Sequence, residues 1–254
     1  MHVPFTSRAQ QGATVALLTL VSTVVTWPLH AQIPEEFTNL QVLPERISRD
    51  SLLDVMRGFS LDLNVRCQYC HVGGDGISFE GVEFDRDDDP DKRKARFMMR
   101  MTENLNRQVL PLMPERDEPP LEMQCKTCHR GLARPTLLTQ DLGWVIDRHG
   151  VDSAAVRYRM LRDRLGMSGA YDFGEWEMNT LAERLQKAGR FQDAIGVYAL
   201  NAEFFPESVS IAFSLGGLYE VVSDTAAAIR SYERVLELQP GNERAQARLD
   251  TIRF

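Results

Sequence analysis

The chain has 254 residues, 43% of them hydrophobic and 26% charged, proportions that suit a globular protein and exclude one disordered throughout. A formal net charge of -7 excludes attachment to nucleic acid or anionic lipid through bulk charge, so no nucleic-acid partner is expected. Only four cysteines occur, and all fall in two stretches of one form, "CQYCH" at 67–71 and "CKTCH" at 125–129.

In chain order, residues 1–31 read as an export signal. Arg8 precedes an apolar stretch from Ala13 to Trp27, and small Ala31 stands at the expected cleavage position, with Gln32 first in the mature chain. The stretch is interrupted by Thr19, Ser22, Thr23 and Thr26 and falls short of the roughly 20 apolar residues that a spanning helix needs, so a membrane anchor is the weaker reading. No cysteine near the cleavage point offers a site for lipid. The expected location is the periplasm or another extracytoplasmic space, with no membrane association required.

Residues 32–136 carry the cysteines. Ser48 is placed to cap a helix in which Leu52, Val55, Met56, Phe59 and Leu63 recur at helical spacing, and the pattern stops just before Cys67. Outside the cytosol four cysteines could form two disulfides, but that pairing gives no reason for a histidine directly after each second cysteine. C-x-x-C-H has such a reason. The two thiols add to the vinyl groups of haem, and the adjacent imidazole binds the iron from the proximal side. The expected cofactors are therefore two covalently attached haem c groups, on Cys67 and Cys70 with His71, and on Cys125 and Cys128 with His129. A four-thiolate zinc site is the main rival and leaves both histidines without a role.

The sixth iron ligand decides between electron transfer and catalysis, because a strong distal ligand closes the iron to substrates. Met56 is the one methionine on the helix before the first motif, where plain packing is the competing role. Before the second motif, "FDRDDDPDKRKARF" reads as an acidic, then basic turn region leading into a helix from about Asp91 to Leu110, ended by Pro111. Met98, Met101, Leu105 and Val109 mark one face of that helix, with Met99 turned away. Either Met98 or Met101 could reach an iron, and so could Met113 or Met123 in the proline-rich connection that follows. The run "DRDDDPD" lacks the glycine and distal glutamate of a calcium loop and reads as a solvated turn.

The stretches "MRGFSLDLNVRCQYCHVG", "KRKARFMMRMTENLN" and "CKTCHRG", with Pro135 soon after, resemble the cytochrome subunit of photosynthetic reaction centres, and more closely its exported two-haem relatives in bacteria without photosynthesis. The resemblance covers roughly residues 38–136. It implies that each haem is held by a helix, a turn and C-x-x-C-H, with a methionine of the preceding helix as sixth ligand. It thereby implies Met56 for the first haem and Met101 for the second, Met98 being the alternative one turn away. The reaction-centre subunit carries four haems, whereas this chain has two motifs and no lipid-bearing cysteine at its N-terminus. Docking on a reaction centre is not implied.

Residues 137–174 read as a helical connector, with "DSAAVRYRMLRDRL" suggesting a degenerate repeat. From 175 to 254 the chain has a period. Ala194, Ile195, Tyr198 and Pro206 recur 34 residues on as Ala228, Ile229, Tyr232 and Pro240, and Leu181 and Leu185 recur as Leu215 and Tyr219. A period of 34 with small, aromatic and proline positions is the tetratricopeptide signature, here two repeats followed by a capping helix in "NERAQARLDTI". The array could hold a protein or peptide partner or pack on the haem domain. Arg184, Lys187, Arg190, Arg230, Arg234 and Arg244 read as a solvated helix face, and His149 as a surface histidine.

The expected fold class is all-α: a dihaem cytochrome c domain of helix-turn-CxxCH units, then a short tetratricopeptide array. The expected function is single-electron transfer between redox partner proteins, not enzyme catalysis. A dihaem peroxidase-like enzyme with one open iron, and a repeat scaffold with sensory haems, are the alternatives.

Overall fold

The computed structural model describes residues 33–253, apart from residues 35, 116 and 117. The expected export signal and its cleavage position lie outside the described residues. Most of the described chain is helical. The strands among these residues form one two-stranded antiparallel ladder, β1 (Val72–Gly73) and β2 (Val82–Glu83), with Val72 opposite Glu83.

Helix α1 (Arg49–Leu63) starts as the sequence implies. The Ser48 hydroxyl accepts from the Ser51 amide at 3.2 Å, and Asn64 ends the helix in the left-handed region at φ 53°. A single 3₁₀ turn, Cys67–Tyr69, holds the first motif, and the β-hairpin follows it. Gly73 permits the hairpin to close, since its φ is +83° and a Cβ there would lie 2.1 Å from the Gly81 carbonyl oxygen. Helix α2 (Pro90–Asn104) has Asp89 as its N-cap and proline in its first turn, where the missing N–H costs nothing. The expected single helix to Leu110 is instead α-helical only to Asn104. A π-helical turn over Leu105–Val109 and a 3₁₀ turn over Leu110–Leu112 follow. Pro111, with no N–H to donate, fits the tighter exit. Helix α3 (Cys125–His129) is the second motif itself.

The C-terminal half is a succession of helices joined by short turns: α4 (Leu138–Leu165), α5 (Glu175–Lys187), α6 (Phe191–Phe204), α7 (Val209–Val221), α8 (Thr225–Leu238) and α9 (Glu243–Ile252). Gly150, at φ 82° and ψ 169°, breaks α4 into two helical segments. Helices α7 and α8 begin and end 34 residues after α5 and α6, and α9 begins 34 residues after α7. The sequence period is thus a period of structure. Ala194 and Ala228 are wholly buried where paired helices touch, and Tyr198 and Tyr232 fill the grooves beside them at 2% and 1% exposure. One core runs from α4 through α7, and a second joins α7, α8 and α9.

The cations expected on a solvated face are exposed, apart from half-buried Arg190, and three of them also tie segments together. Arg184 donates to the Thr139 carbonyl, Arg190 pairs with Asp147 and Asp193, and Arg234 donates to the Pro206 carbonyl. Arg162 holds α4 to the array: it donates to the Phe173 carbonyl at 2.9 Å and the Tyr158 hydroxyl at 2.8 Å, and lies 4.5 Å from the Phe204 ring centre. His149 is exposed, as expected, and meets Trp144 edge-on.

Candidate functional site

Between Ile33 and Pro135, Leu52 is the one fully buried hydrophobic side chain among the described residues. The side chains that would make a core there, including Phe37, Leu40, Leu53, Phe59, Leu63, Val65 and Phe84, instead face a shared cavity of about 910 Å³. Helix α1 contributes the apolar face that the sequence marks out, and Met56 lies on it. Cys67, Cys70 and His71 line the cavity with Met56, as do Cys125 and His129 of the second motif. Cys128 is exposed and lies outside the lining.

The second motif is brought to the cavity by contacts distant in sequence. The Gly131 amide donates to the Asp62 carbonyl at the end of α1, at 2.9 Å. Asn106, in the π-helical turn, clasps the main chain of Met123 in both directions, at 2.8 and 2.7 Å, two residues before Cys125. In α3 the cysteines stand at i and i+3 and the histidine at i+4, so all three share one helical face.

The two imidazoles are held differently. His129 is buried, with Nδ1 2.7 Å from the Leu132 carbonyl oxygen. A carbonyl only accepts, so Nδ1 carries a proton and Nε2 is the nitrogen left to bind a metal. His71 packs on Phe84, ring centres 5.0 Å apart, and its Nδ1 is buried without a hydrogen bond. Burial, reinforced by the Lys92 charge, lowers the His71 pKa below the ordinary imidazole range, which favours the neutral, ligating form. Burial pushes the Cys70 thiol up to about 11, with Asp89 and Asp91 adding to the effect, and burial also raises Cys125. No disulfide links the four cysteines. Among the described residues no three His, Cys, Asp or Glu side chains converge as a metal site, so the four thiols are not gathered as a zinc cluster would require.

The distal candidates separate by position. Met98 and Met99 line the cavity, whereas Met101 is 37% exposed and does not. The expected face, with Met99 turned away, is therefore rotated. Lys92, Ala95 and Arg96 also line the cavity, and a pattern of purely apolar residues does not register the two cations. Met113 is exposed.

The run expected to be a solvated turn is instead a junction. Asp87 meets Lys92 at 3.0 Å and Arg96 at 2.7 Å, and accepts from Asn39 at 2.9 Å and Gln41 at 3.0 Å. Arg96 also donates to the Asn39 carbonyl, tying the 39–41 segment over α2. The Arg96 guanidinium, aided by Lys92 and Asn39, holds the Asp87 carboxyl well below the usual carboxylate range. A depressed carboxylate contributes stability that is complete above its unfolded pKa, about 4, and is lost as pH falls through lower values. The difference in thermal stability between the wild type and Asp87→Asn is expected to be full at pH 7 and to shrink steadily below about pH 4. Melting curves across that range check it. A difference independent of pH would remove the ion pairs from the account.

No family model and no curated protein matches the chain. Among solved structures, the type III secretion chaperone SycD of Yersinia enterocolitica, in complex with a peptide of the translocator YopD, is similar at a TM-score of 0.32 and 15% identity, over 46% of this chain and 89% of the chaperone. So remote a likeness assigns this chain no ligand. No helix among the described residues is long and apolar enough to cross a membrane.

Proposed function

We propose that the protein is an exported dihaem c-type cytochrome that carries single electrons between redox partner proteins, with a repeat module for docking or packing. The observation that carries this reading is the cavity: apolar walls where a core would be, with residues of both C-x-x-C-H motifs and Met56 facing it. A domain of about 100 residues without an apolar core needs another source of cohesion. Covalent haem would provide one.

When bound, haem supplies the one-electron chemistry of its iron. Cys67 and Cys70, and Cys125 and Cys128, would hold the porphyrin edge by thioether bonds. His71 and His129 would bind iron through neutral nitrogens, and the apolar walls keep water from the site. Met56 is the proposed distal ligand of the first iron. For the second, the resemblance favours Met101, whereas Met98 lines the cavity and Met101 does not, which supports Met98. The peroxidase-like alternative requires one iron without such a ligand.

Absorption of holoprotein made in a host with a haem-attachment system tests the reading. Low-spin iron at both centres and a weak near-infrared sulfur-to-iron band are expected, whereas a high-spin fraction that binds cyanide quickly would favour the enzyme. Met56→Ala is expected to halve the near-infrared band. Of Met98→Ala and Met101→Ala, the variant that removes the other half identifies the second ligand, and no loss from either would place that ligand elsewhere.

A further inference from the structure

The proximal histidines differ in what stands behind them. His129 donates to the Leu132 carbonyl, a bond that makes the ring a stronger electron donor to a metal. His71 has no such bond at Nδ1. The carbonyl of Phe84, whose ring packs on His71, accepts from Lys92 Nζ at 2.8 Å. The other Lys92 donors go to the Arg86 carbonyl at 2.6 Å and to Asp87 at 3.0 Å. All three ammonium donors are thereby used, and the side chain is 10% exposed.

Lys92 is therefore a fixed positive charge on the cavity wall, one side chain behind His71. Arg96, 11% exposed at its side chain, lies against the same carboxylate, so Asp87 alone faces two cations. Of the neighbouring acids, Asp89 opposes Lys92 at His71, with the smaller effect. Asp85 is exposed, Asp89 caps α2, and Asp91 pairs with Lys94 at 2.7 Å. A buried cation disfavours the added positive charge of oxidised iron. We propose that Lys92 acts as a positioning residue that, through Phe84 and His71, makes the first centre easier to reduce than the second; this rests on the dihaem reading above.

A redox titration of the holoprotein, followed by visible absorbance, is expected to resolve two one-electron steps. Lys92→Met is expected to move the higher step down, with a roughly tenfold loss in the ratio of reduced to oxidised form, or about 59 mV for one electron, and to leave the lower step in place. Lys92→Arg should retain the wild-type values. Asp87→Asn removes a negative charge and should move the same step upward, whereas loosened packing would move both variants the same way. If Lys92→Met does not fold, Asp87→Asn and Lys92→Arg carry the test. Unresolved wild-type steps, an unmoved higher step, a shift of the lower step, or shifts of one sign would overturn the inference. A preparation without haem would overturn the dihaem reading itself, whereas two haems with unmoved midpoints would overturn this inference alone.

Discussion

Serine in place of both Cys125 and Cys128 is expected to give a folded chain that retains one covalent haem, and serine in place of both Cys67 and Cys70 to give the converse loss with a larger fall in stability. The asymmetry follows from where the motifs sit. Cys128 is exposed, and α3 is anchored by the Asn106 clasp on Met123 and the Gly131 bond to Asp62, none of which uses a thiol. The second motif should hold its place when its cysteines change. Cys67 and Cys70 line the cavity beneath α1, whose apolar face has few buried partners of its own. Losing a group that binds the native state alone forfeits all the stabilisation that its binding gives. Haem absorbance per chain and the mass of the denatured protein count the groups, and thermal melts rank the variants. Two haems retained in either variant, or none in the wild type, would remove the basis for reading the motifs as attachment sites.

What was legible in the sequence was what is local. Ser48 and the stripe from Leu52 to Leu63 fix α1 because a cap and a helical period are decided within a few residues. The 34-residue period fixes the array because neighbouring repeats bury the same residue types in the same places. Illegible features join distant segments. Asn39 and Gln41 reach Asp87 across more than forty residues, and nothing in "DRDDDPD" distinguishes Asp87, which meets both Lys92 and Arg96, from the other aspartates. The face of α2 differs from the expected one for a related reason. Lys92 is a charged residue that the fold buries by saturating its donors, and periodicity of apolar types does not register such a position. Asn106 lies where α-helical bonding gives way to a π turn, and its clasp on Met123 has no local signature.

Gly216→Val is expected to melt the repeat array at a markedly lower temperature while leaving the haem count unchanged. A Cβ on Gly216 would lie 2.7 Å from two atoms of the Tyr232 ring and 2.9 Å from a third. The ring has no room to retreat. It is 1% exposed, meets Phe213 edge-on at 5.4 Å, and its hydroxyl donates to Glu220 Oε1 at 2.5 Å, an oxygen that also accepts from Arg248 of α9 at 2.9 Å. Relief must come from separation of α7 and α8, which costs about 1–3 kcal/mol for an overpacked core and outweighs the gain of under 1 kcal/mol from replacing a helical glycine. Gly217 is the internal control, since a Cβ there would meet the Tyr232 hydroxyl at 3.8 Å, an ordinary contact. Gly217→Ala should therefore melt at or slightly above the wild-type temperature. None of the residues lining the cavity comes from the array, so absorbance per chain should be the same in both variants. Equal melting temperatures for the two would mean that the helices give way at no cost. Loss of haem from Gly216→Val would mean that the array is required to build the cavity.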